Sequence, residues 1–399
     1  MRLQHLSCDP SRPAQAAEAL QVVLRDQHWV QLLGPGGERS QVPEDILPAG
    51  QGLLLSGGGS SGRRRLCLHP VAHFDQSARA TAVWLAGIGI AAAEVQMFNP
   101  LPVHHVSGLM PWWRSRCWGA SHVWLLPPLM RDIPTLVCYC ERQMDWGGRP
   151  AVLSLVPTQL MRLMADPIGI NWLQHFAVIW VGGAALPSAL ADQARQHGLC
   201  LSPCYGATET AAMVTALSPQ RFLEGEVGCG DALVDVQLRL DPDGALLVKT
   251  PRVAVGCWQA EGSEPLAPLA DPSGWWCSGD RARFAAGLQL LGRRDGAIQT
   301  GGETIHPELL EARLLALARR HQLSLEAVLL LGVPDPEWGE RLVALVRLGD
   351  PDQLAVLDRL TARWPAAERP RRWVLCDALA PTAAGKWERS RWLHWLRAL

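Results

Sequence analysis

The sequence predicts an α/β protein: a large N-terminal domain of mainly parallel sheets layered with helices, a small β-rich subdomain, and a small α+β C-terminal domain. Three observations predict it. Short apolar runs alternate with helical patterns through the first 250 residues, the pattern of parallel strands covered on both faces. Near residue 230 the texture changes to that of a hairpin, and roughly residues 296–399 read as a separate strand-and-helix unit. A chain of 399 residues also exceeds the ~250–300 residues that one core supports. The expected division is 1–293 and 294–399, at the charged, glycine-containing link Arg293-Arg294-Asp295-Gly296.

Taken in order, Leu53-Leu54-Leu55 is a short strand running into glycines and serines. A helical pattern spans His73 to Ala91, and Val95 to Phe98 is a strand. Further strands are expected at His122–Leu126, Val152–Val156 and His175–Val181, then a helix over Pro187–His197. Val234 to Leu240 and Ala245 to Lys249 flank Asp241-Pro242-Asp243-Gly244, a hairpin signature. In the last unit Pro307–Arg320 is a helix with proline at its start. Ala327–Val333 and Leu342–Arg347 are strands there, and a helix follows Lys386.

Composition excludes several function classes. Net charge is −1, so no global field attracts nucleic acid or an anionic membrane. The longest apolar stretch, Ala82 to Ala93, is too short to span a bilayer, and the first ten residues carry no signal-peptide run. The cytoplasm is the expected compartment. Eleven scattered cysteines without zinc spacing read as buried free thiols, with no metal site made of protein ligands alone. Only two of the 37 basic residues are lysines, Lys249 and Lys386. Where arginine is used almost everywhere, a lysine marks a place that requires a compact point charge.

Five segments carry candidate chemistry. Gly57-Gly58-Gly59-Ser60-Ser61-Gly62-Arg63-Arg64-Arg65 follows a strand, and its N–H groups, hydroxyls and arginines suit phosphate oxygens. It lacks the Gly-Lys-Ser/Thr ending of a Walker loop, and a plain surface loop is the competing reading. In Tyr205-Gly206-Ala207-Thr208-Glu209-Thr210, Thr208 could bond a phosphate and Glu209 suits Mg²⁺; the alternative is a helix start capped by Thr208. Ser278-Gly279-Asp280 offers a carboxylate to a ribose diol, or is only a turn. The fourth segment runs from Gly292-Arg293 through Gly301-Gly302-Glu303-Thr304-Ile305-His306-Pro307, and the fifth is Gly385-Lys386-Trp387-Glu388-Arg389.

In this order the segments resemble the acyl-adenylate-forming superfamily of acyl- and aryl-CoA ligases, peptide-synthetase adenylation domains and luciferases, over roughly residues 52–399. The resemblance implies ATP, Mg²⁺ and CoA as small-molecule reactants, with a carboxylic acid as the fourth. It implies that Gly58, Gly59, Ser60, Ser61, Gly62 and Arg65 hold the β- and γ-phosphates. Thr208, with Tyr205 and Gly206 of its motif, would hold the α-phosphate, and Glu209 the magnesium. Asp280 and Arg293 would bind the ribose, and Gly182-Gly183 would lie against the adenine. Lys386 would bridge the acid carboxylate and the α-phosphate. Asp295 would be the hinge of a mobile C-terminal domain, and the Gly301-Gly302-Glu303 loop would line the thiol channel. Family members are often homodimers, which makes a dimer an expectation here.

Departures from the family pattern are visible. The phosphate loop ends in Arg64-Arg65 instead of Pro-Lys, and Ala380 replaces a proline, with Pro381 one place late. The stretch before the phosphate loop is shorter than usual, so a reduced N-terminal subdomain is expected. His105 falls on the family's histidine in Pro102-Val103-His104-His105-Val106-Ser107-Gly108, whereas His104 reads as structural. This wording, with Val156-Pro157-Thr158-Gln159-Leu160-Met161-Arg162, is most similar to the short 2-succinylbenzoate–CoA ligases of phylloquinone and menaquinone synthesis. That resemblance implies His105, Ser107, Thr158 and Arg162 as acid-binding residues. The rivals are another aryl- or acyl-CoA ligase and a non-catalytic nucleotide-binding relative, the latter motivated by the altered loop.

Overall fold

The apolar runs of the first half become the strands of a seven-stranded sheet in a computed structural model that describes residues 3–57, 65–143, 148–259, 266, 268–293, 296–300, 303–382 and 387–399. Its order is Asp231–Ala232, Ala212–Ala216, Leu201–Ala207, Val178–Val181, Ala151–Leu155, Gln96–Asn99 and Ser121–Trp124. The last five are parallel, and the central three are wholly buried, which is why those sequences show no alternation. Helices Val71–Gly87 and Val106–Trp118 pack together on one side of it. Leu160, Leu163, Trp172, Phe176, Leu190 and Phe222 join a second cluster with Phe98, Leu153 and Ile179.

A five-stranded sheet precedes it in the chain, in the order Leu3–Ser7, Trp29–Leu33, Gly52–Gly57, Arg65–Pro70 and Gly256–Gln259. Its first three strands are parallel and the last two antiparallel. The sequence reading assigned a strand only to the third of these, at Leu53-Leu54-Leu55. Arg65, expected to end the phosphate loop, instead opens a strand, paired with Gly57 and Gln259.

The β-rich unit is a four-stranded antiparallel sheet: Gln237–Leu240, Ala245–Lys249, Trp276–Phe284 and Leu288–Arg293. Leu246 and Val248 are fully buried beneath it, and Asp241 accepts from the N–H groups of Asp243 and Ala245 to close the hairpin. The last sheet contains Glu303–Ile305, Ile298–Thr300, Gly339–Leu348 and Leu325–Asp335, with Arg372–Leu375 beside Gly339–Leu348. Its two core clusters draw on no residue before Ile298. Helix Pro307–Arg320 lies against the first cluster and helix Arg389–Arg397 against the second.

Two expectations need correction. All eleven cysteines are free, yet Cys117, Cys138 and Cys277 are exposed rather than buried. The strand expected from His175 begins at Val178, because His175 follows the C-cap of helix Pro167–Leu173 and turns back on it, with Nδ1 2.8 Å from the Asn171 carbonyl. Among the described residues no helix is long and apolar enough to cross a membrane, and no group of three His, Cys, Asp or Glu side chains could hold a metal ion.

Candidate active site

In an open parallel sheet, ligands bind outside the carboxyl ends of the strands, where strand order reverses. Here the reversal lies between Gln96–Asn99 and Ala151–Leu155, since the chain adds Ser121–Trp124 on one side before returning to the other. The segments leaving these ends carry the residues singled out by sequence. His104, His105 and Ser107 follow Asn99, while Thr158 and Arg162 follow Leu155. Gly182 and Gly183 follow Val181, and Tyr205 and Gly206 lie near the end of the next strand. One sheet edge thus collects four separate motifs.

At that edge Gly183 has φ +82°, and a Cβ on Gly182 would come within 3.0 Å of Cys204 Sγ. The backbone turn therefore stays bare, as a flat ligand needs. From the adjacent strand Tyr205 Oη donates to Asp280 at 2.5 Å, and Asp280 also accepts from Arg293 Nη1 at 3.2 Å. Asp280 and Arg293 face each other on adjacent antiparallel strands, and Arg293 also donates to the Ser278 carbonyl at 3.1 Å. Burial, then the charge of Asp280, lifts the Tyr205 phenol well above its usual range. Tyr205 is accordingly a hydrogen donor at neutral pH.

Thr208–Thr210 is a single 3₁₀ turn with Ala207 at its N-cap, so the alternative reading of a helix start capped by Thr208 does not hold. The capping hydroxyl belongs to Thr210, which accepts from Ala207 N at 3.2 Å and donates to the Ala212 carbonyl at 2.8 Å. Thr208 is therefore not the cap. Glu209 is half-buried, and its Oε1 lies 3.5 Å from a Cβ built on Gly57, the last described residue before the glycine/serine loop. Two motifs some 150 residues apart in the chain are thereby neighbours in space.

The turn is held by groups that sequence reading missed. His69 Nε2 donates to the Thr208 carbonyl at 2.7 Å, Ala254 N to the Glu209 carbonyl at 2.8 Å, and Ser77 Oγ to the Ala211 carbonyl at 2.8 Å. Arg252, wholly buried and paired with Asp235 at 2.9 Å, donates to the carbonyls of Thr210 and Met213 at 2.5 and 2.8 Å. Ala211 and Ala212 follow at φ +48° and +79°, a conformation that costs an alanine about 1–2 kcal/mol each. The surrounding hydrogen bonds offset that cost.

Arg114 was also missed. It is 4% exposed on helix Val106–Trp118, with its guanidinium 4.9 Å from the ring of Trp180, two residues before Gly182. Its Nε and Nη2 are buried and meet no hydrogen-bond partner among the described residues. Burial lowers its pKa to about 10, which leaves it cationic at neutral pH. Helical phase was the available signal: Arg114 falls four residues after buried Met110.

His104 and His105 stack with ring centroids 4.3 Å apart. His104 presses on Gly34, where a Cβ would lie 2.5 Å from its Nε2, and burial lowers its pKa to about 4. Half-buried His105 stands at the start of helix Val106–Trp118. Ser107 and Arg162 are exposed and Thr158 is half-buried. Gly58, Gly59, Ser60, Ser61, Gly62, Asp295, Gly301, Gly302 and Lys386 lie outside the described residues.

These motifs, in this order along the chain, define a class. The chain belongs to the AMP-binding enzyme family, whose model matches residues 57–258. It is 30% identical over 275 residues to the 2-succinylbenzoate–CoA ligase of Escherichia coli strain K12, covering 69% of this chain and 54% of the relative. The chain spans about half the length of the curated relatives it matches most strongly. Its fold is that of o-succinylbenzoate CoA synthetase from Bacillus subtilis in complex with the acyl-adenylate intermediate OSB-AMP, with TM-score 0.72, 20% identity, and 98% of this chain and 87% of that one covered. ATP-bound MatB from Rhodopseudomonas palustris superposes equally well, with TM-score 0.72, 21% identity, and coverage of 98% and 79%. Fold likeness alone therefore does not choose the acid.

Proposed function

We propose that the chain is an AMP-forming acid–thiol ligase. A carboxylate and ATP give an acyl-adenylate and pyrophosphate; CoA then takes the acyl group and AMP leaves. The observation that carries this reading is the Tyr205–Asp280–Arg293 cluster, built on the strand next to the one that ends at the Gly182–Gly183 turn, with Glu209 against the glycine-rich strand end. In this reading Asp280 and Arg293 bind the ribose, and the Gly182–Gly183 turn bears the base. Thr208 and the loop of Gly58 to Gly62 hold phosphates, while Glu209 accompanies Mg²⁺ bound to them. Lys386 stabilises the charge that develops as the carboxylate attacks phosphorus. The division at residue 293, with Asp295 as hinge, lets residues 294–399 present Lys386 for the first half-reaction and withdraw it for the second.

The acid we propose is 2-succinylbenzoate, as in quinone biosynthesis. Two facts support it: the E. coli relative is named for that acid, and the buried Arg114, over Trp180 near the Gly182 turn, has Nε and Nη2 without a hydrogen-bond partner among the described residues. Burying a guanidinium without a counter-ion costs several kcal/mol, about 3–5 on the scale of broken buried pairs. A dicarboxylic substrate supplies the missing anion, one carboxylate meeting Arg114 while the other is activated near His105. Another aryl- or acyl-CoA ligase is the second reading, favoured by the equal likeness to MatB.

The test is AMP release from Mg·ATP with a panel of acids, with and without CoA. CoA-dependent turnover selective for 2-succinylbenzoate is expected. Turnover with another acid would retain the reaction and discard the substrate. ATP binding without turnover across the panel would leave a non-catalytic nucleotide-binding relative.

A further inference from the structure

A backbone carbonyl only accepts, so the 2.7 Å contact between His69 Nε2 and the Thr208 carbonyl fixes the proton of His69 on Nε2. Its Nδ1 is then an acceptor in the neutral ring, and the 3.0 Å contact to His73 Nδ1 makes His73 the donor. The result is a directed chain from His73 through His69 to the carbonyl of Thr208. Both histidines belong to one short stretch: His69 lies in the strand Arg65–Pro70 that leaves the phosphate loop, and His73 in the first turn of the next helix. His69 is fully buried, with His73 edge-on at 5.3 Å and Phe74 tilted against it at 5.4 Å between ring centroids.

We infer that His69 is a positioning residue for nucleotide binding: its Nε2–H sets the Thr208–Glu209 turn against the strand that carries the glycine-rich loop. The same strand pair that ends in Gly57 and Arg65 holds His69 opposite Leu53. The strand ends at Gly57 and Arg65 and the Thr208–Glu209 turn are thus registered through one strand pair. Arg252, Ser77 and Ala254 fix the next carbonyls, so loss of His69 frees the turn at Thr208 while the rest stays anchored. The inference rests on the proposed nucleotide role of Thr208 and Glu209.

The test compares His69→Gln with His69→Asn. Glutamine places an amide N–H near the former Nε2; asparagine is too short to reach it and mimics Nδ1. Binding of Mg·ATP is measured by calorimetry, with thermal unfolding alongside and KM for Mg·ATP wherever turnover is found. Expected for His69→Asn is a loss of Mg·ATP affinity of about tenfold to a hundredfold, the scale of a small misplacement of binding groups. His69→Gln should stay within about threefold of the parent, and the KM for the acid should not move in either. A purely structural role would weaken both variants alike and in proportion to lost stability, which overturns the inference. Undiminished affinity in both also overturns it. A parent chain that binds no Mg·ATP overturns the nucleotide reading itself, and the inference with it.

Discussion

At the scale of single residues, Arg114 and Arg116 show how two neighbouring arginines acquire opposite fates. Arg116 is exposed and lies over Trp113, whereas Arg114 points inward to Trp180. Substituting Arg114 by leucine removes a buried charge that nothing among the described residues balances. Stability should hold or rise by about 1–4 kcal/mol, as when buried ions give way to apolar groups. Activation of 2-succinylbenzoate should fall by about a hundredfold, the scale of a charge-assisted hydrogen bond to a carboxylate, about 1.5–3 kcal/mol. Steady-state kinetics alongside urea unfolding separates these effects. Unchanged kinetics would remove Arg114 from the acid site. Helical phase was the one local hint of this residue, and it was not enough, because a charged side chain on an apolar helix face is legible only once the face has a neighbour.

At the scale of elements, legibility followed how local the determinants were. Hairpin strand Ala245–Lys249 and helix Pro307–Arg320 were read with their observed bounds, because an Asp-Pro-Asp-Gly turn and a proline at the first helical position are local signals. The strand Arg65–Pro70 was missed, since its flanks are basic and polar and its burial comes from the distant strand Gly256–Gln259. The alternative reading of Thr208 as a helix cap arose because capping chemistry looks alike in a 3₁₀ turn and a helix start. Helix Val106–Trp118, which carries His105 and Ser107, meets its own loop at Gly108, where a Cβ would lie 2.2 Å from the Pro102 carbonyl oxygen. Gly108→Ala should therefore push the helix off the loop, at a cost of about 1–3 kcal/mol. KM for the acid should rise more than KM for Mg·ATP, and the two measured together check this. Equal changes in both would place the loop's influence elsewhere.

At the scale of the whole molecule, four buried or largely buried histidines bear on acid stability. Burial holds His69 and His122 near a pKa of about 3, and His73 and His104 near about 4. All four are neutral in the native chain at mild acidity, while their unfolded counterparts bind protons below about 6.5. The unfolded state then carries more protons, so stability falls as pH drops from about 6.5 toward the native values. Each group contributes at most about 1.4 kcal/mol per pH unit in that window, with His69 and His73 titrating as a coupled pair. Urea midpoints should be lower at pH 5.5 than at pH 7.5. A flat profile would mean that these rings are hydrated in the native protein.

The C-terminal unit touches the β-rich unit through Arg281 Nη1 and His306 Nε2, 3.1 Å apart, and through Glu308, whose Oε2 lies 2.8 Å from a Cβ built on Gly292. These contacts flank the proposed hinge at Asp295.

The strand Gly256–Gln259 closes the first sheet by pairing with Arg65–Pro70, placing Cys257 and Cys67 side by side though 190 residues apart. The sheet begun earliest in synthesis therefore waits for residue 259, after the whole seven-stranded sheet has been made. Until then a growing chain presents an open strand edge bearing Leu66 and Leu68, the kind of surface that recruits other chains. Yield from translation would then be governed by how fast the ribosome delivers that one short closing segment.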